Sequence, residues 1–128
     1  MNRERLNYLG GEILDASIHV HKELGPGLLE SVYQWCLYLE LTSRGISVKQ
    51  EVSVPVIYKG KFSGKEFRID LLVENEIIIE LKAVEFVLPV HEAQLITYLK
   101  LADKRLGYLI NFNVPVLKEG FKRYVNGF

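Results

Sequence analysis

Two apolar segments joined by a short polar turn constrain this chain more than any other feature, because charged residues interrupt them. The first segment ends in Asp70-Leu71-Leu72-Val73, and the second reads Ile77-Ile78-Ile79-Glu80-Leu81-Lys82. A buried ionised side chain without a partner is costly, so such groups pair with each other or bind a metal ion. Glu80 and Lys82 therefore predict either a structural ion pair or a site that holds a divalent ion against a phosphate ester.

The composition is that of a globular protein that does not enter a membrane. The 128 residues are 48% apolar and 25% charged, and the formal net charge is zero, so no global field attracts nucleic acid or anionic lipid. Cys36 is the single cysteine, which rules out an internal disulfide and a thiolate zinc site within one chain. The first residues lack the apolar core of a signal peptide, and no apolar run is long enough to span a bilayer. These features predict a reducing, cytoplasmic location.

Hydrophobic periodicity predicts the element order α-α-β-β-β-α-β followed by a tail. Leu29, Val32, Cys36 and Leu39 form one apolar stripe of the second helix, and Trp35 and Cys36 are expected in the core. Pro55 places its strand near an edge or a bulge. The expected fold class is α/β, with a mixed sheet of about four strands flanked by helices. The predicted elements span residues 3–23, 28–44, 48–58, 65–73, 77–84, 89–104 and 106–111.

The length of the turn decides whether Asp70 can join Glu80. Side chains alternate between the two faces of a strand, so Glu80 and Lys82 share a face. A two-residue turn at Glu74-Asn75 would pair Asp70 with Ile79 and turn its carboxylate away from Glu80. A three-residue turn would place Asp70 directly opposite Glu80, because a shift of one residue reverses the face. The turn itself leaves both registers open.

Four further motifs accompany the acid on one strand and the Glu-x-Lys of the next. They are Gly27-Leu28-Leu29-Glu30-Ser31-Val32-Tyr33, His91-Glu92-Ala93-Gln94, Gln94-Leu95-Ile96-Thr97-Tyr98 and Leu109-Ile110-Asn111-Phe112. With these motifs the chain resembles the PD-(D/E)XK nuclease superfamily, and within it the small bacterial family of GxxExxY proteins. The resemblance spans nearly the whole chain and implies a single PD-(D/E)XK nuclease-like domain over residues 1–128.

The resemblance implies a role for each matching residue. Asp70, Glu80 and Glu30 would be metal ligands, and Mg²⁺ or Mn²⁺ would be the cofactor. Lys82 would position a water or stabilise developing charge. Gln94 and Tyr98 would orient Lys82 or the scissile strand from one helix face. Tyr33 and His91 would contact the substrate. The implied register is the three-residue turn, which brings Asp70 to Glu80.

Simpler structural roles compete with several of these assignments. Glu30 is also the kind of first-turn acid that a helix dipole favours. Tyr33 and Tyr98 have the size and polarity of core residues whose hydroxyl reaches the surface. His91 could equally cap the start of the helix that contains it. We expect Glu30, Gln94 and Tyr98 to converge on the Asp70–Glu80 cleft. Such clustering would also raise at least one carboxyl pKa in the absence of a metal.

Two functions follow from the resemblance and the residues. The first is a metal-dependent nuclease that hydrolyses phosphodiester bonds in DNA, with RNA as the other candidate substrate. The alternative is a non-catalytic module that binds nucleic acid or assembles with other proteins and retains the nuclease fold. Zero net charge gives little general attraction for nucleic acid, and the small size leaves little surface for a nucleic-acid footprint. A homodimer would enlarge that surface.

Overall fold

The computed structural model describes residues 1–128 and contains three helices and five strands. The predicted order α-α-β-β-β-α-β is confirmed, and a fifth strand follows it. No helix has the length and apolar character that crossing a membrane requires. The elements are α1 (Arg3–Leu24), α2 (Glu30–Ser43), β1 (Val48–Tyr58), β2 (Lys61–Val73), β3 (Ile77–Lys82), α3 (Pro89–Leu101), β4 (Leu106–Asn111) and β5 (Phe121–Val125).

The strands form one mixed sheet in the order β1-β2-β3-β4-β5. Only β3 and β4 run parallel, and α3 is the crossover between them. The prediction of about four strands omitted β5, whose residues were assigned to a tail. In β5 only Phe121 and Tyr124 are partly buried, and they are three residues apart. A strand is recognised in a sequence by apolar residues at every second position, so β5 lacks that signal. Pro55 lies on the edge strand β1 beside a register shift, as its type predicts.

A helix layer covers each face of the sheet, and the two cores differ in size. The larger core joins α1 and α2 to one face and contains 20 buried residues, among them Leu9, Leu37 and Ile79. The smaller core lies under α3 and contains six: Ile69, Leu72, Ile78, Leu95, Leu99 and Leu109. Glu80 alternates with Ile78 along β3, so its side chain belongs to the α3 face. The polar residues therefore occupy the face with the smaller apolar core.

The buried face of α2 differs from the predicted stripe. Its fully buried side chains are those of Tyr33, Leu37 and Leu41. Trp35 is 57% exposed, and Leu29, Val32 and Leu39 are also exposed, while Cys36 is partly buried. The expectation that Trp35 lies in the core is wrong. Because α2 carries apolar residues around most of its circumference, helical spacing alone does not identify the face that packs on the sheet.

The turn between β2 and β3 has three residues, Glu74–Glu76. Val73 pairs with Ile77, and Leu71 pairs with Ile79. Glu74 and Asn75 both have left-handed backbones, with φ of 51° and 57°. The Glu74 carboxylate accepts a hydrogen bond of 2.7 Å from the Ser47 amide, which anchors the turn. The register that places Asp70 opposite Glu80 is therefore confirmed.

Strand β2 changes face at Asp70. Ile69 packs in the core under α3, whereas Leu71 packs in the core under α1 and α2, although strict alternation would place both on one face. The neighbouring strand has a backbone irregularity at the same level, where Glu51 lies between the paired residues Gln50 and Val52 with φ of 52°. This local twist exposes Asp70 to groups from both helix layers.

Adjacent glycines of α1 offer a matched test of the packing between α1 and β4. A Cβ at Gly10 would overlap the hydroxyl of buried Tyr108, whereas a Cβ at Gly11 would meet open space. Gly11→Ala should stabilise the protein by about 0.5–1 kcal/mol, because alanine favours the helix over glycine. Gly10→Ala should destabilise it despite the same helix preference. Urea unfolding measures both changes, and equal shifts for the two variants would contradict this packing.

Candidate active site

Asp70 of β2 and Glu80 of β3 lie side by side. The Leu81 amide donates a hydrogen bond of 2.8 Å to Asp70 Oδ2, and the Asp70 amide donates one of 3.4 Å to Glu80 Oε1. Glu80 is only 6% exposed, whereas Asp70 is half-buried. The backbone of each strand thus holds the carboxylate of the other, and the pair is fixed by the sheet rather than by a flexible loop.

Burial changes the protonation of this pair. Burial, followed by the charge of Asp70, raises the pKa of Glu80 to about 9. Burial also raises the pKa of Asp70, although hydrogen bonds with Leu81 and Glu80 oppose the rise. At neutral pH the Glu80 carboxyl therefore holds a proton. The expected rise in a carboxyl pKa is confirmed, with burial as a larger cause than repulsion between like charges.

Glu30 is the first residue of α2 and is half-buried near the pair. Burial raises the pKa of its carboxyl, Lys82 lowers it, and the charges of Asp70 and Glu51 raise it. These influences show that Glu30 is an electrostatic neighbour of Asp70 and Lys82 and not a carboxylate in open solvent. Its position in the first helical turn also favours the negative charge.

Lys82 is the cation among these carboxylates. It lies two residues after Glu80 and lowers the pKa of Glu30, Asp70 and Glu80. It forms no salt bridge with any of them, because all of the ion pairs in the chain involve other residues. The structural ion pair between Lys82 and Glu80, which the sequence left open, is therefore absent. The Lys82 ammonium is available to another anion.

Sequence reasoning missed two polar residues beside Glu30. Gln34, one helical turn after Glu30, donates a hydrogen bond of 3.0 Å to Glu51 Oε1. Glu51 lies opposite Asp70, at the backbone irregularity of β1, and its charge acts on both Asp70 and Glu30. The i, i+4 spacing of Glu30 and Gln34 was a usable signal. Glu51 gave none, because its proximity depends on the pairing of β1 with β2.

Helix α3 brings Tyr98 to the carboxylates. Its ring stacks on Phe67 of β2, with the ring centroids 4.0 Å apart. Burial raises the pKa of the Tyr98 hydroxyl, and the charges of Glu80 and Asp70 raise it further. Gln94 lies one turn earlier on α3, is exposed, and makes no side-chain hydrogen bond within the chain. Of the two residues predicted on this helix, Tyr98 is held near the pair and Gln94 is left free.

Tyr33 and His91 both make structural contacts within the chain. Tyr33 is fully buried and stacks on Phe112 with centroids 4.6 Å apart. Its hydroxyl donates to the Gly25 carbonyl at 2.5 Å and accepts from the Leu28 amide at 3.1 Å, so it fixes the loop before α2. His91 Nδ1 accepts from the Leu88 amide at 3.1 Å and caps α3. Because Tyr33 is fully buried, its expected substrate contact is corrected to a positioning role, whereas the substrate contact expected of the partly exposed His91 stays a prediction.

The carboxylates suit a hard divalent cation. No group of three His, Cys, Asp or Glu side chains is arranged to hold a metal ion, and Glu30 as a third ligand stays a prediction. Mg²⁺ accepts one or two carboxylates and takes its other ligands from waters and phosphate oxygens. Asp70 and Glu80 satisfy that requirement as a pair of oxygen donors joined by direct contacts. The residues present therefore fit Mg²⁺ or Mn²⁺.

Comparison with known proteins agrees with the fold. Residues 7–124 match the family described as the PD-(D/E)XK nuclease superfamily. No curated protein matches the chain in sequence. A solved structure titled "Crystal structure of SSO0001" is 23% identical, with a TM-score of 0.48. The similarity covers 74% of this chain and 48% of that one, so this chain spans about half the length of that protein.

The proton on Glu80 predicts how stability depends on pH. The pKa of Glu80 is about 9 in the folded protein and has its ordinary value of 4.5 in the unfolded chain. Between these two values Glu80 is protonated when folded and ionised when unfolded, so the stability of the wild type falls as the pH rises from 4.5 to 9. Glu80→Gln keeps a donor toward Asp70 and does not titrate. It should stabilise the metal-free protein by about 3 kcal/mol at pH 7 and by almost nothing at pH 4. Urea unfolding across this range measures the difference, and a gain independent of pH would contradict the assignment.

Proposed function

The chain belongs to the PD-(D/E)XK nuclease superfamily, and we propose that it hydrolyses phosphodiester bonds in nucleic acid with a divalent metal ion. The observation that carries this proposal is the contact between Asp70 and Glu80 beside an unpaired Lys82. We place the chain in the GxxExxY branch on the motifs around Glu30 and Gln94. Residues 1–128 are proposed to act as one nuclease domain, with DNA as substrate and RNA as the second choice.

Asp70 and Glu80 would hold the metal in this proposal. When bound, Mg²⁺ or Mn²⁺ would neutralise charge on the phosphoryl oxygens and lower the pKa of a water. The backbone amide of Leu81 fixes the orientation of the Asp70 carboxylate before any ligand arrives. Glu80 must release its proton before both side chains are anionic, and the nearby Lys82 favours that release by lowering the Glu80 pKa.

Lys82 is assigned to the charge that develops on the phosphate. A cation without a carboxylate partner can donate to a phosphoryl oxygen or orient the attacking water, whereas a paired one would first have to break its ion pair. Tyr98 lies near the same carboxylates and can place its hydroxyl beside the phosphate ester. Glu30 adds negative charge near Lys82, and this charge favours the protonated ammonium.

A binding module that retains the fold is the second candidate. The lack of any three-residue group able to hold a metal ion favours it. The buried Asp70–Glu80 pair argues against it, because a module that only binds has no use for a carboxyl that burial destabilises at neutral pH. The two candidates differ in turnover, so a cleavage assay on single- and double-stranded DNA and RNA with Mg²⁺ or Mn²⁺ separates them.

Substitutions should separate metal binding from chemistry. Asp70→Ala and Glu80→Ala should abolish both cleavage and the thermal stabilisation caused by Mn²⁺, because each removes one of two oxygen ligands. Lys82→Ala should retain that stabilisation and lose roughly 10²–10⁴ in rate. Glu23→Ala, an exposed carboxylate of α1, is the matched control and should behave as wild type. If Lys82→Ala cleaves at the wild-type rate, the role given to Lys82 is wrong.

The Tyr98 hydroxyl should matter less than these charged groups. Tyr98→Phe keeps the stack on Phe67 and removes only the oxygen, so cleavage should slow by about tenfold or less while Mn²⁺ stabilisation is unchanged. Tyr98→Ala also removes the stack and should lower the unfolding temperature. Single-turnover cleavage beside thermal unfolding distinguishes the two effects. If Tyr98→Phe lost more of the cleavage rate than Lys82→Ala, the smaller role given to the Tyr98 hydroxyl would be wrong.

A further inference from the structure

Strands β1 and β2 extend past the sheet as a two-stranded ribbon. β2 pairs with β1 along most of its length but pairs with β3 only over Leu71–Val73. Residues 52–69 therefore have no third strand beside them. With a rise of about 3.3 Å per residue, the tip at Gly60 lies roughly 30 Å along the ribbon from Asp70. The ribbon begins at the candidate active site, passes the C-terminal end of α3 at Ile57, and ends in solvent at Lys59-Gly60.

The tip of the ribbon has a defined conformation although it is in solvent. Tyr58 pairs with Lys61 across a two-residue turn, Lys59-Gly60, in which φ is 50° and 76°. Two positive φ values mark the tight hairpin turn that matches the twist of the flanking strands. The base of the ribbon is held by Phe67, which stacks on Tyr98 of α3. The arm is therefore preformed and anchored at the active-site end.

The surface of the arm combines apolar and cationic side chains. Ile57, Tyr58 and Phe62 are 53%, 70% and 62% exposed. Four basic residues lie on the ribbon and none forms a salt bridge within the chain: Lys59, Lys61, Lys65 and Arg68. Glu66 is the one acid between Pro55 and Ile69. In a chain of zero net charge, this segment is a local concentration of unpaired positive charge.

We propose that this arm, residues 55–66, binds the substrate duplex at a distance from the cleavage site. The inference rests on the proposed function, since the ribbon starts at Asp70. Lysine ammonium groups attract phosphates regardless of sequence. A two-stranded ribbon fits the major groove of B-DNA, which is about 12 Å wide. The exposed Tyr58 and Phe62 would then face sugars and base edges in place of water.

The reach of the arm sets the length of duplex that it requires. Because the register shift between Pro55 and Ile57 bends the ribbon, roughly 30 Å is the upper limit of this reach, and at 3.4 Å per base pair it corresponds to about nine base pairs at most. A duplex shorter than the distance between Asp70 and the tip cannot occupy both together, whereas a duplex of several helical turns can. The arm would therefore supply the footprint that the small body of the protein lacks, and it would favour long substrates over short ones.

Binding of the full chain to DNA without metal tests the arm apart from catalysis. Fluorescence anisotropy in EDTA with hairpin-closed duplexes of about 8 and about 30 base pairs should show wild type binding the longer one at least tenfold more tightly. Lys59→Glu/Lys61→Glu should lose that preference, and the slope of log affinity against log salt should fall by about 2. Lys22→Glu/Lys118→Glu makes the same charge change on other exposed lysines and should keep the preference.

A neutral variant guards against a folding artefact. Lys59→Gln/Lys61→Gln should unfold like wild type and show about the same loss of salt slope. Wild-type affinity and salt slope in both arm variants would overturn the inference. It would also be overturned if the arm contributed as much to the binding of single-stranded DNA as to the binding of duplex DNA. If binding depends on the arm but no substrate is cleaved, the arm stands and the nuclease proposal fails. If cleavage occurs and binding ignores the arm, only the arm inference fails.

Discussion

The contact between Asp70 and Glu80 is the interaction on which the rest of the site depends. Burial makes it unfavourable for both carboxyls to ionise, and Glu80 resolves the conflict by keeping a proton. The backbone amides of Asp70 and Leu81 hold the pair, so its geometry follows from strand pairing. That pairing depends in turn on the three-residue turn at Glu74–Glu76. A shift of one residue would separate the carboxylates and remove the site.

The arrangement of the sheet explains how residues from four elements reach this pair. Because β2 changes face at Asp70, groups from the α2 layer and the α3 layer act on the same carboxylates. Glu30 and Tyr98 do so from opposite layers. The positive φ of Glu51 accompanies the twist, and backbone outliers of this kind concentrate at functional sites. The larger core under α1 and α2 stabilises the fold while the face under α3 carries the polar groups.

Local sequence predicted the features that depend on alternation and on residue type. The apolar strands, their interruption by Glu80 and Lys82, and the edge position of Pro55 could all be read directly. The resemblance supplied the three-residue register, which the turn residues alone left open. Features that depend on tertiary contacts could not be predicted from the sequence. The buried face of α2 was misassigned at Trp35, the half-exposed β5 was taken for a tail, and Tyr33 and His91 proved to hold a loop and a helix end.

Proton release on metal binding tests the central claim most directly. If Glu80 holds a proton at neutral pH and is also a metal ligand, then binding of Mn²⁺ must displace that proton. Calorimetric titration at pH 7 in buffers of different ionisation enthalpy counts the protons released. The account predicts that wild type releases about one proton more per ion than Glu80→Gln does, because a carboxyl with a pKa near 9 is almost fully protonated at that pH. Binding of Mn²⁺ by wild type without proton release would contradict it.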